Sequence, residues 1–169
     1  MRFLIFSDSH GNAFNMRTVI ERCIDDIDGV IFLGDIYEDA EILMSAYPSL
    51  EFHAVAGNCD ASPKYLGREY AEQLFTVEGV NILILHGHRH MVKYGISVLE
   101  GYARSKGADV VLFGHTHEPF EKYTWDGEKP LYMFNPGSVA RPRDGEASFG
   151  SMMIENGRIL LSYGSVYNK

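Results

Sequence analysis

Five short, mostly apolar runs in this sequence end directly in residues able to hold a metal ion, and that recurrence restricts the fold more than any other feature. Residues 3–6 lead into Asp8 and His10, and residues 30–33 into Gly34-Asp35. Residues 52–56 lead into Gly57-Asn58-Cys59-Asp60, residues 80–85 into His86-Gly87-His88, and residues 110–113 into Gly114-His115-Thr116-His117. Short apolar runs bounded by turn signals read as strands buried on both faces. In an open α/β sheet the carboxyl ends of such strands share one edge, and ligands bind in the crevice there. Side chains distant in sequence would then converge on one rim. The glycines beside them let the backbone turn sharply and approach an ion closely.

Between these runs the pattern is helical. Met16, Val19, Ile20, Cys23, Ile24 and Ile27 predict a helix face within residues 14–27. Ala40, Leu43, Met44 and Tyr47 predict a second helix stopped at Pro48, and Val92, Ile96, Leu99 and Ala103 a third. Residues 73–77 and 80–85 read as a hairpin about Glu78-Gly79. Beyond residue 118, four strands are expected at 119–125, 130–134, 148–154 and 158–163, with turns at Asp126-Gly127 and Asn156-Gly157. This predicts an α/β layered domain whose second sheet comes largely from the last third of the chain.

At 169 residues the chain has the length of one domain, expected to span 1–169. The net charge of −8 argues against nonspecific duplex binding, which needs a basic face. Two cysteines, Cys23 and Cys59, make a disulfide framework an unlikely design and favour a reducing compartment. Residues 3–6 are too short for a secretory apolar segment, and no stretch reaches the roughly 18 apolar residues of a membrane span. The expectation is a soluble cytoplasmic protein with no membrane partner.

Each fragment alone is common by chance, and a lone histidine is usually structural. Together, D-x-H, G-D, G-N-C-D, a histidine beside glycine and G-H-x-H resemble the calcineurin-like metallophosphoesterase superfamily, over residues 8–117. Asn135-Pro136-Gly137-Ser138 is similar to a motif of its small single-domain branch in bacteria and archaea. The resemblance implies a four-layer αββα sandwich of two mixed sheets flanked by helices. It implies two divalent transition-metal ions, Mn2+ first, with Ni2+, Co2+, Fe2+ or Zn2+ as alternatives. Asp8, His10 and His117 would hold one ion; Asn58, His86 and His115 would hold the other; Asp35 would bridge them. Asp35, Asn58 and His86 are also the expected catalytic residues. Imidazole with carboxylate suits these metals better than Mg or Ca. A shared carboxylate allows two cations about 3.5–4 Å apart. Two carboxylates and two divalent ions leave a local positive charge that can draw a phosphate to an acidic protein. The implied activity is hydrolysis of small phosphodiesters by a hydroxide bridging the metals.

Where many relatives carry a histidine in the third block, this chain has Cys59. A thiol near its ordinary pKa of about 8.5 is a poor partner for a leaving oxygen, so activated diesters should be cleaved more readily than alkyl monoesters. The favoured reading of Cys59 is a small packed residue with no role. Asn12, Cys59, Arg141 and Arg143 are the candidate substrate contacts, although Asn12 also suits a helix cap and the arginines a solvated loop. His88 and His90 read as solvated loop residues, His53 as structural, Cys23 as core and Asp60 as orienting a neighbour. The aromatic residues are scattered and show no base-stacking platform.

Two rivals stand beside the diesterase. One is a protein-interaction scaffold, since a retromer subunit shares this fold; that lineage should show eroded ligands. The other is a nuclease, disfavoured by the acidic charge and the lack of a second domain. The sequence leaves the oligomeric state open, with a homodimer as the prior from the commonness of twofold assemblies.

Overall fold

The computed structural model describes residues 1–167. Its strands form two five-stranded sheets, and both are mixed. The first contains β1 (Arg2–Phe6), β2 (Gly29–Phe32), β3 (Glu51–Ala54), β9 (Ser148–Glu155) and β10 (Arg158–Ser165), in the order β10-β9-β1-β2-β3. The second contains β4 (Glu72–Val77), β5 (Val80–Leu85), β6 (Val110–Leu112), β7 (Pro119–Trp125) and β8 (Pro130–Pro136), in the order β4-β5-β6-β8-β7. β1, β2 and β3 run parallel, as do β5, β6 and β8, while β9, β10, β4 and β7 pair antiparallel with their neighbours.

The expectation about the second sheet is therefore corrected. The last third of the chain supplies strands to both sheets. β7 and β8 extend the second, whereas β9 inserts beside β1, with Arg2 opposite Met153 and Ile5 opposite Gly150. Hairpin signals fix which strands are neighbours in sequence. They carry no information about which sheet edge a hairpin joins.

Alternation along the strands makes the layers. In β1, Leu4 and Phe6 face one side with Val30 and Phe32. There they meet Met16, Val19 and Ile20 of α1 (Ala13–Cys23) and Ala40 and Leu43 of α2 (Tyr37–Ala46). Phe3 and Ile5 point the other way and join Ile82, Ile84, Val110, Leu112 and Phe134 between the sheets. The far face of the second sheet packs Leu83, Leu85, Val111 and Met133 against Leu99 and Ala103. These last two belong to α4 (Ser97–Ser105), and α3 is a single turn at Arg68–Ala71. Three apolar interfaces separate four layers, giving the αββα sandwich.

Helix ends account for the small differences from the sequence reading. The Asn12 side chain accepts a hydrogen bond from Asn15 N at 3.1 Å and caps α1. α1 stops at Cys23, and Ile24 and Ile27 still pack against the core from the turn that follows. α4 begins only at Ser97, because Met91 and Gly95 take left-handed backbone conformations that break the helix before it. Val92 and Ile96 pack from that preceding segment.

Candidate metal centre

The parallel strands bring the five polar segments to one rim. Asp8 and Asp35 are almost fully buried there, and so is His86. Asp8 Oδ1 lies 3.1 Å from His117 Nε2 and 4.0 Å from His86 Nε2. His10 Nε2 lies 3.2 Å from His117 Nε2 and 3.7 Å from Asp35 Oδ2. Ligand atoms of Asp8, His10, Asp35 and His117 all fall within 4.8 Å of one another. On the other side of Asp35, His86 Nε2 is 3.3 Å from Asp35 Oδ1 and 3.2 Å from Asn58 Oδ1. His115 joins through its ring, edge-on to His86 at 5.1 Å. Asn58 is exposed at the mouth.

The donor set calls for a cation. His86 Nδ1 sits 2.7 Å from Leu33 O and His117 Nδ1 2.6 Å from Arg141 O. Each ring therefore donates from Nδ1, which leaves Nε2 as a lone pair in the neutral imidazole. Those lone pairs point at carboxylate and amide oxygens, acceptor against acceptor. Asp8 Oδ1 is buried with no hydrogen bond of proper geometry. Only a proton or a metal ion can reconcile such a cluster. In the proton alternative, Asp8 beside His117 Nε2 at 3.1 Å draws the proton onto the imidazole and raises the His117 pKa against the effect of burial. Burial opposes ionisation of Asp8, yet His117, His86 and Ser7 together hold its pKa below the ordinary value. Burial and the neighbouring His86 push His115 down to about 4, leaving it neutral and ready to ligate.

A second layer of contacts fixes the ligands. Asp8 Oδ2 accepts from Ser7 Oγ at 2.5 Å and from His115 N at 3.0 Å. Asp35 Oδ1 accepts from Cys59 N at 3.0 Å. Ser138 Oγ donates to Asp8 O at 2.8 Å and accepts from Arg141 N at 2.7 Å. Asn135 Nδ2 donates to Gly114 O at 2.9 Å, so the Asn-Pro-Gly-Ser segment buttresses both the first and the last ligand loops. Asp60 accepts from Gly57 N, Ile36 N and Tyr37 N, orienting its neighbours as expected. Glycine is required at two close approaches. A Cβ on Gly57 would strike Asp35 Oδ1, and one on Gly114 would strike Ser7 Oγ.

The sequence reading missed three things. Asp39 is buried and accepts from Ser9 Oγ at 2.7 Å and Gly11 N at 2.9 Å, holding the loop that carries His10. Its only sequence signal is its place one helical turn after Asp35. Asp8, His10, Asp35, His115 and His117 all adopt left-handed backbone conformations, with φ between 48° and 72°. Non-glycine residues held this way cost about 1 kcal/mol or more each and gather at functional sites. Finally, His88 and His90 are not solvated. His88 is half-buried with its ring 5.4 Å from His86, and His90 packs on Tyr102 at 4.6 Å.

The candidate substrate contacts lie at the mouth. Cys59 is exposed overall rather than packed, yet partial desolvation of its thiol, with Asp35 beside it, pushes the pKa up to about 11. Arg141 and Arg143 are exposed on the loop after Ser138, and Arg143 Nε lies 3.7 Å from Glu118 Oε1. Asn12 spends its side-chain oxygen on the α1 cap.

Residues 1–157 match the calcineurin-like phosphoesterase superfamily domain. A Bacillus subtilis protein named as a probable metallophosphoesterase, YsnB, is 34% identical over 158 residues, covering 92% of this chain and 86% of its own. The Escherichia coli phosphodiesterase YfcE is 27% identical over 175 residues, covering 92% and 88%. Vacuolar Protein Sorting 29 from Cryptosporidium parvum is similar in fold, with a TM-score of 0.67 at 20% identity over 97% of both chains. The match across nearly the whole sequence, on the strands that gather these ligands, makes this chain a member of the calcineurin-like phosphoesterase superfamily.

Proposed function

We propose that this chain is a divalent-metal-dependent phosphodiesterase, one domain over residues 1–169, acting on small phosphodiesters. The observation that carries the reading is the acceptor-against-acceptor cluster around Asp8 Oδ1, whose charge and geometry a pair of cations would satisfy. Asp8, His10 and His117 would hold one ion, Asn58, His86 and His115 the other, and Asp35 lies between the two sets. Imidazole with carboxylate favours Mn2+, Ni2+, Co2+, Fe2+ or Zn2+, with Mn2+ the first to test. When bound, such ions lower the pKa of a coordinated water and neutralise phosphoryl oxygens.

The chain's own contribution is positioning. The Leu33 and Arg141 carbonyls fix the tautomers of His86 and His117, and the Cys59 amide holds Asp35 in place. Burial of Asp8 and Asp35 beneath the rim keeps their charge unscreened by solvent. The Cys59 thiol stays neutral near pH 7 and is a weak donor, so the site lends little help to a poor leaving group. Activated diesters are therefore favoured over alkyl monoesters. The YfcE relative, named a phosphodiesterase, supports the same substrate class. Both cysteines are free thiols, which supports a reducing, cytoplasmic setting. Among the described residues no helix is long and apolar enough to cross a membrane.

The test is hydrolysis of bis(p-nitrophenyl) phosphate by protein loaded with each metal in turn, with metal content measured by elemental analysis. Manganese-dependent turnover at about two ions per chain is the expected result. A folded protein inert with every transition metal would favour the scaffold role instead.

A further inference from the structure

Tyr37 meets Tyr65 and Tyr70, some thirty residues further along the chain, next to the candidate metal centre. Tyr37 and Tyr65 rings lie 4.8 Å apart, Tyr37 and Tyr70 5.1 Å, and Tyr65 and Tyr70 5.5 Å. The sequence reading found no stacking platform, because the 37-to-70 separation is closed only when α2 and the segment before β4 pack together. Tyr65 and Tyr70 line a cavity of about 250 Å3 together with Asn58, Leu66, His88 and Arg89. The cavity therefore opens directly off the ligand residues and not from a remote part of the surface.

The lining residues have complementary chemistry. Arg89 is exposed and makes no hydrogen bond or ion pair among the described residues, so its planar guanidinium is free to stack. His88 Nδ1 is buried without a hydrogen-bond partner, an unmet polar atom beside the cavity. The lining also includes the half-buried Tyr70, the edge of the buried Tyr65 and the exposed Leu66 side chain. A flat ring bound in such a cavity gains stacking on a guanidinium plane and contact with aromatic and apolar side chains. The volume is below the roughly 300–1,000 Å3 of pockets for drug-sized ligands, so it suits one ring system and not an extended chain.

We propose that this cavity is the subsite for one esterifying group of the substrate, that the group is a planar aryl or heteroaryl ring, and that Arg89 and Leu66 determine its selection. The inference rests on the phosphoesterase reading above for the placement of the phosphorus over Asp35. It narrows the substrate to phosphodiesters bearing a ring one bond or a short linker from the ester oxygen.

Binding tests it without turnover. Phenylphosphonate and methylphosphonate are titrated into zinc-loaded protein by calorimetry, and the Leu66 methyl resonances are followed by NMR. Wild type should bind phenylphosphonate about tenfold more tightly, as one stacked ring provides. Its Leu66 signals should shift with the phenyl compound alone. Arg89→Ala and Leu66→Trp should each erase most of that preference; both positions are exposed, so the variants should keep the wild-type fold by circular dichroism. Equal affinity for the two phosphonates in wild type, or an unchanged preference in both variants, would overturn the subsite. A phenyl preference in a protein that hydrolyses no diester would leave the subsite standing and remove the proposed activity. Hydrolysis without a phenyl preference would do the reverse.

Discussion

The two ends of the same parallel strands are built on opposite rules. At the amino ends, an aspartate stitches three strands together in each sheet. Asp28 N donates to Arg2 O, Asp28 Oδ2 accepts from Arg2 N at 2.7 Å, and Asp28 O accepts from Glu51 N. Asp109 repeats the arrangement: its N donates to Asn81 O, its Oδ2 accepts from Asn81 N at 2.8 Å, and its O accepts from Tyr132 N. Lys129 Nζ pairs with the remaining oxygen at 2.9 Å. At the carboxyl ends, Asp8 is buried with one oxygen lacking a hydrogen bond, and five residues of the candidate site take left-handed backbone conformations. One end is satisfied and sets register. The other stores strain and unpaired charge that a cation can collect, so stability and function are segregated along the strand axis.

That contrast can be broken by experiment, the strongest effects coming from the carboxyl end. Asp35→Asn or His86→Ala should lower kcat/KM for an activated diester by about a thousandfold or more, with loss of bound metal measured by elemental analysis. Metal retention with near-normal turnover in either variant would remove the segregated picture. Next is Gly57→Ala, which drives a methyl group into Asp35 Oδ1. Displacing that carboxylate by a fraction of an ångström to an ångström should cost about a hundredfold in kcat/KM, read in the same steady-state assay.

At the amino end the sign of the contrast reverses. Asp109→Ala leaves the Asn81 amide without its side-chain acceptor and should destabilise the fold by about 1–3 kcal/mol in urea titration, with metal content and kcat unchanged. Altered kinetics there would show that the two ends communicate. The smallest effect belongs to Glu78, which accepts from the Met1 ammonium at 2.8 Å and from Asn156 N at 2.9 Å. The hydrogen bond from the ammonium, helped by the Asn156 amide, holds its carboxyl below its ordinary value of 4.5. A depressed pKa means its contribution is present above that value and fades as pH falls through the lower, folded one. Glu78→Gln should therefore flatten the acid limb of the stability curve slightly, measured by thermal melts across pH, and leave neutral pH nearly untouched.

The left-handed backbone shows why one region was legible and the other was not. Glu78-Gly79 and Asn156-Gly157 occupy hairpin turns with φ of 47° and 81°, and 51° and 74°. Both were foreseen, because a glycine after a turn-tolerant residue between two strands is a local signal for a type I′ turn. Asp8, His115 and β-branched Ile36, at φ 80°, adopt similar values with no such signal. Their conformation is imposed by partners from other strands, such as Asp60 on the Ile36 amide. The residues that gather at the rim were visible, since each stands within a few positions of the end of an apolar run. The roles of Asp39, Ser138 and the Tyr37-Tyr65-Tyr70 group were not, because each acts through a neighbour across the fold.

The sequence by itself determined the strands, most helix positions, the hairpin turns and the identity of the residues at the strand ends. Those depend on periodicity, on turn chemistry and on which side chains can bind cations, all local properties. Only the tertiary structure decided that β9 and β10 join β1, that Nε2 of His86 and His117 face carboxylates, and that a tyrosine-lined cavity opens beside Asn58. Those depend on which faces meet when three apolar interfaces close at once, a choice made by packing among segments more than a hundred residues apart and written in no single stretch of chain.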